Sequence, residues 1–149
     1  MTDASKIPTV PLALGAAGLI PYWGLSVALL TGVDLGFGAG ALAFALAAYG
    51  ALILSFLGGV RWGIALGAEE EGPAKRGYVI SVVPVLLAWA ALALPPGPQL
   101  WTLAGLHVVL GLFDYGLVCR EEAPEWFGRL RLALAAAAAL ALILGALAV

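Results

Sequence analysis

Cysteine occurs once in this chain, at Cys119, and histidine once, at His107. A single cysteine excludes an intrachain disulfide. The two residues together leave too few ligands for a closed structural zinc site, which draws four ligands mostly from these types. Charge is also scarce: Asp, Glu, Lys and Arg make up 11% of 149 residues, where soluble domains carry about a quarter. Hydrolytic signatures are missing as well, with no Gly-x-Ser-x-Gly elbow and no His-Glu-x-x-His pair. An aspartyl intramembrane protease needs two carboxylates at one depth, whereas Asp34 and Asp114 are expected toward opposite faces of the bilayer. No nucleophile with a base is visible, so no catalytic residue is assigned and an enzyme is the least supported class. No feature suggests nucleic-acid binding.

What the chain has in quantity is apolar surface. Hydrophobic residues make up 63% of it and the mean hydropathy is +1.06. The apolar runs are near 20 residues long, which fits helical spans rather than the alternating pattern of an outer-membrane barrel. The expected fold is therefore all-α: one polytopic helical bundle over residues 1–149, with five transmembrane helices at about 11–30, 42–66, 75–94, 99–119 and 130–149. The lipid bilayer is its first partner. The segment at the N-terminus is expected to be a retained span, because its apolar run exceeds a typical signal h-region and no Arg run precedes it.

Punctuation sets the boundaries. Pro8 and Pro11 suit a helix start, and Pro21 is expected to kink the first span and free the carbonyl of Ala17. Asp34 is a candidate N-cap for the next helix. A helix from 36 to 66 would be about 46 Å long against a hydrocarbon core of about 30 Å. The opening Gly36-Phe37-Gly38-Ala39-Gly40 is therefore expected to be irregular, with the span starting near Leu42. Pro73 is placed to open the third helix, Ser81 to help satisfy backbone loosened by Pro84, and Pro124 to open the last helix. Pro95-Pro96-Gly97-Pro98 makes a tight turn.

Lys6, Lys75, Arg76, Arg120, Arg129 and Arg131 all fall on the side of the N-terminus, and the turns at 31–35 and 95–99 hold no Lys or Arg. This bias predicts a cytoplasmic N-terminus and an outside C-terminus. Glu69 to Glu71 and Glu121, Glu122 and Glu125 share the same side, but the interspersed Lys and Arg mark ordinary solvated loops, so no metal site is assigned.

One residue does not fit an apolar helix. Arg61 lies in the run Tyr49 to Gly63, and a guanidinium in lipid costs a few kcal/mol unless it finds a partner, a cavity or a headgroup. Asp114 is the candidate partner, since both residues fall about 9 to 11 Å below the same surface. Ala104, His107, Gly111 and Asp114 share one helical stripe. Ala51, Ser55, Gly58, Trp62 and Ala65 form a comparable face, with Arg61 at its edge. The two faces are expected to pack, with Gly58, Gly59 and Gly111 permitting close approach. Three readings of Arg61 stay open: a side chain extended toward headgroups, a structural bridge to Asp114, or half of a functional pair. In the last case Arg61, Asp114, His107, Ser55 and Tyr115 would line a ligand or ion pathway.

The segment Tyr49 to Gly63 resembles the hallmark of the transmembrane protein 69 family. Tyr78 to Trp89 is similar to that family too, as are the Asp114 region and Pro124-Glu-Trp-Phe-Gly-Arg-Leu-Arg131. The family includes bacterial inner-membrane members carried as a domain of unknown function and a mitochondrial animal branch. The chain departs from the pattern at Arg61, where the family often has His, and at Phe127, where it has Tyr. The resemblance implies a multi-pass protein of the cell inner membrane, with no assigned activity and no known cofactor.

Two functions fit these residues. One is a small channel or transporter-like homo-oligomer with a polar site between the second and fourth spans. The other is a membrane-embedded binding or assembly module for a lipid, quinone or tetrapyrrole, an apolar small molecule, or for a larger complex.

Overall fold

Six α-helices form the chain in the computed structural model, which describes residues 6–33 and 36–149. They are α1 (Thr9–Gly18), α2 (Ile20–Thr31), α3 (Gly38–Leu66), α4 (Glu71–Ala91), α5 (Pro96–Cys119) and α6 (Glu125–Leu147). Helices α1 and α2 together make one stretch, so five segments among the described residues are long and apolar enough to cross a membrane. The all-helical, membrane-spanning architecture expected from hydropathy is what the chain adopts. Among the described residues there is no strand. Asp34, the expected N-cap, lies outside the described residues.

The break at Leu19 follows from Pro21, which lacks a backbone donor. The carbonyls of Ala16 and Ala17 are met by backbone N–H groups at the Leu19 cap. The Gly18 carbonyl accepts from the hydroxyl of Tyr49 on α3 at 2.9 Å. The Ala17 carbonyl, expected to be freed by Pro21, is thus met within the backbone, and α3 adds a side-chain donor beside the kink.

Gly32, Gly36 and Gly38 all have positive φ, at 66°, 85° and 75°. That left-handed backbone is accessible to glycine without a Cβ clash, and it lets α2 stop and the chain turn into α3. The irregular stretch is thus confined to the turn. Helix α3 is entered through Gly38, four residues earlier than the expected start near Leu42. At 1.5 Å per residue, α3 is about 43 Å long.

Helix α4 starts at Glu71, so Pro73 is its third residue, where the missing N–H has no intrahelical partner to lose. Pro84 sits inside α4. Ser81 does not serve the Ile80 carbonyl that Pro84 strands, four residues before it. Its hydroxyl donates to the Tyr78 carbonyl at 2.6 Å. Pro95 and Pro124 occupy the N-cap positions of α5 and α6, and Gln99 Nε2 closes the preceding turn by donating to the Leu92 carbonyl at 2.9 Å.

Packing pairs the helices as hairpins. The most extensive contacts are α5 with α6 and α3 with α4, while α3 touches α5 more lightly. This corrects the expected tight packing of the second span on the fourth. Gly58 is buried against the Ser81 carbonyl and Val85 of α4, and a Cβ at Gly111 would come within 2.7 Å of the Ala135 Cβ on α6. Gly59 has open space around it. Helix α2 closes the core against α3 and α6, where Ser26 Oγ donates to the Ala141 carbonyl at 2.7 Å. The core is mostly Leu and Ala, including Leu46, Leu54, Leu100, Leu103 and Leu142. Leu52, Phe56, Val79 and Trp89 on the outer faces are exposed, as lipid-facing positions would be.

Candidate functional site

Three charges meet inside the bundle at one level. Arg61 lies five residues inside the end of α3 at Leu66, and Asp114 five residues inside the end of α5 at Cys119. Arg131 lies six residues beyond the start of α6 at Glu125. Each is therefore about 8 to 9 Å from the same end of its helix. Asp114 Oδ1 accepts from Arg61 Nε at 2.7 Å, and Oδ2 accepts from Arg131 Nε at 2.7 Å. Exposure is 2% for Arg61, 2% for Asp114 and 8% for Arg131. One carboxylate thus joins α3 and α6 through α5, tying the two hairpins together.

The triad carries two positive charges and one negative. Two guanidinium groups also present more N–H donors than one carboxylate can accept. A buried group in that condition is favoured only where further acceptors or polarisable surroundings reach it.

A second polar pair lies deeper. His107 Nδ1 is 2.9 Å from the Leu103 carbonyl, and Nε2 is 2.7 Å from the Tyr22 hydroxyl. A carbonyl can only accept, so Nδ1 carries the proton and donates. A neutral ring then has Nε2 free to accept from Tyr22, which avoids adding a third cation to the bundle. Tyr22 also packs edge-on against Tyr49, with ring centroids 5.0 Å apart. The proline break therefore has a use: it brings Tyr22 of α2 onto α5. Replacing Tyr22 by Phe leaves a buried acceptor unpaired and is expected to cost about 1–3 kcal/mol. Reversible unfolding in mixed micelles checks this.

Arg131 of the triad and the Tyr22–His107 pair border one cavity. It has a volume of about 450 Å³, and its lining includes Leu14, Val60, Tyr22, His107, Leu134 and Arg131. Val10, Leu14 and Phe56, which also line it, are exposed on the outer surface. The cavity therefore opens sideways, toward where lipid would lie. Its walls come from α1, α3 and α6, and its polar groups from α2, α5 and α6.

Of the residues singled out in the sequence, Arg61, Asp114 and His107 are buried, the first two paired in the triad and His107 lining the cavity. Ser55 and Tyr115 are exposed on the outer faces of α3 and α5, which removes them from it. Trp62 is also exposed and packs on Tyr78, with ring centroids 4.8 Å apart. The face Ala51, Ser55, Gly58, Trp62, Ala65 is thus divided between core and surface.

Arg131 reads in the sequence as one of the loop charges, and the structure puts it inside the bundle. A signal for it existed: Gly128, Arg131, Ala135, Ala138, Leu142 and Gly145 follow helical spacing, and all are buried. Without it, five of the six basic residues remain near the helix ends. Two of these are tied across the loops, with Glu122 Oε1 accepting from Arg76 Nη2 at 2.6 Å and from Arg120 Nε at 3.0 Å. Among the described residues, no group of three or more His, Cys, Asp or Glu converges as a metal site.

Comparison with known proteins gives a family and no activity. Residues 7–147 match the profile of a family described as protein of unknown function (DUF3429). Transmembrane protein 69 of Xenopus tropicalis is 43% identical over 142 residues, covering 91% of this chain and 53% of the relative. Transmembrane protein 69 of Mus musculus is 34% identical over 134 residues, covering 84% of this chain and 50% of the relative. The chain therefore spans about half the length of the curated relatives it matches. No solved structure matches. On the family profile and on both relatives, the chain belongs to the DUF3429 family, the family of transmembrane protein 69.

Proposed function

We propose that this chain is a membrane-embedded binding module for an amphiphile whose head carries acceptor oxygens, as a lipid or a quinone does. One observation carries the reading: a side-opening cavity of about 450 Å³ with apolar walls and Tyr22, His107 and Arg131 in its lining. Small-molecule sites have this composition, mostly apolar with a few convergent polar groups, and this size range. The tail would lie along Leu14, Val60 and Leu134, and the head would accept from Arg131.

The proposal includes orientation and place. The N-terminus faces the cytoplasm and the C-terminus the outside of a cell inner membrane, as the basic residues near one end of the bundle suggest. A transporter-like reading keeps one supporting observation: Arg61 and Arg131, bridged by Asp114, border different cavities. It would require self-association to widen the path, and flux measured in liposomes would reveal it.

Native mass spectrometry of the full chain released from lipid nanodiscs tests the binding reading. The wild type is expected to retain an amphiphile. Val60→Trp, which fills the cavity from a half-buried position, is expected to weaken retention by about tenfold or more. An empty wild type, or equal retention by both proteins, overturns it.

A further inference from the structure

Arg61 has a second side. Among the described residues, its Nη2 is the one buried side-chain nitrogen or oxygen without a hydrogen-bond partner. A buried N–H left without an acceptor costs about 1–3 kcal/mol, and more on a charged group. Such an atom is expected where something else supplies the acceptor.

Arg61 also lines a cavity separate from the side-opening one. This second cavity, of about 420 Å³, lies at the loop end of α3, α4 and α5, bounded by Ile64, Gly67, Ala68, Pro73 and Leu117. Glu121 and Glu122 also line it. Glu122 is already engaged by Arg76 and Arg120. Of the charged residues lining the cavity, Arg61 stands with Glu121 and Glu122, and Glu122 is offset by its two arginine partners.

We propose that the loop-end cavity is an oxyanion site in which Arg61 Nη2 donates to a phosphate-type oxygen. The guanidinium is shared: Nε is fixed by Asp114, which aims the plane, and Nη2 is left for the ligand. Arginine suits this division because its donors lie in a rigid fork matched to oxyanions. The bound charge would neutralise the excess cation of the triad. A cation is disfavoured at the same place by the buried guanidinium. Free phosphate and the phosphate of a lipid headgroup present the same chemistry to Arg61.

The test uses the full chain in two settings. In neutral detergent, inorganic phosphate is titrated against sodium chloride at matched ionic strength while thermal unfolding is followed. In nanodiscs, pure phosphatidylcholine is compared with a mixture containing phosphatidylglycerol. A saturable rise in unfolding temperature with phosphate supports the site and assigns it to the free ion. A rise only with phosphatidylglycerol supports it and assigns it to the headgroup.

Ala68→Glu places a like charge at the half-buried cavity wall without touching the triad. It is expected to keep the unliganded unfolding temperature and to weaken the response by about tenfold or more. Arg61→Lys keeps the charge beside Asp114, removes Nη2, and is expected to lose the response as well. Val60→Trp leaves the response intact, which separates this site from the amphiphile cavity. No saturable response in either setting, or an equal response in Ala68→Glu, overturns the proposal.

Discussion

Asp114→Ala is expected to destabilise the folded protein by about 3–5 kcal/mol. The reason lies in what is left behind. Asp114 supplies both oxygens that hold Arg61 and Arg131, so its loss strands two guanidinium groups in the bundle rather than one. Breaking a buried ion pair from one side typically costs this much, because the remaining charge stays desolvated without compensation. Replacing all three residues by apolar ones of similar length, Arg61→Met, Asp114→Leu and Arg131→Met, is expected to cost little or even to stabilise. Unfolding by denaturing detergent, followed by tryptophan fluorescence, would give both values.

The second large effect separates two adjacent glycines. Gly58→Leu is expected to cost about 3 kcal/mol, the upper part of the range for overpacked cores. A Cβ at Gly58 meets the backbone carbonyl of Ser81, and Val85 stands beside it. A carbonyl in a helix cannot swing aside as a side-chain end can, so α4 would have to move away from α3. A Cβ at Gly59 meets nothing within 4 Å. Gly59→Leu faces outward and is expected to be neutral or mildly stabilising, because leucine is the better helix former by up to about 1 kcal/mol. The same unfolding assay decides between the two positions.

These glycines also mark how far the sequence can be read. Span number and helix type follow from hydropathy and length, which need no tertiary information. The Arg61 to Asp114 pair is legible for the same reason, since helical rise alone puts both at one depth. Depth does not say which helix face meets which, and the expectation for Gly58 fails there. Gly58 serves α4, its neighbour in the hairpin, because consecutive antiparallel helices joined by a short loop pack first.

Arg131 is obscured by its company. It follows Arg120 and Arg129 in a charged stretch and reads as one more loop residue. Only the buried small residues spaced along α6 place it inward. Tyr22 is visible as an aromatic at a kink, but its bond to His107 depends on how far the proline break turns α2. Hydropathy carries no signal for that angle. Neither cavity is legible, because each is bounded by residues distant in the chain.

The buried triad is central to stability and to both proposed sites: it joins the hairpins, and Arg131 and Arg61 each line one of the two cavities. A purely structural triad and a ligand-binding one predict the same effect for Asp114→Ala. They differ in the charge-free triple variant, which removes the ion pairs while leaving the packing. The decisive measurement is therefore ligand binding by the folded Arg61→Met, Asp114→Leu, Arg131→Met protein, using retained amphiphile and phosphate response as readouts. A ligand-binding triad predicts stability within about 1 kcal/mol of the wild type and loss of both ligands. A folded triple variant that keeps either ligand at native affinity would contradict it.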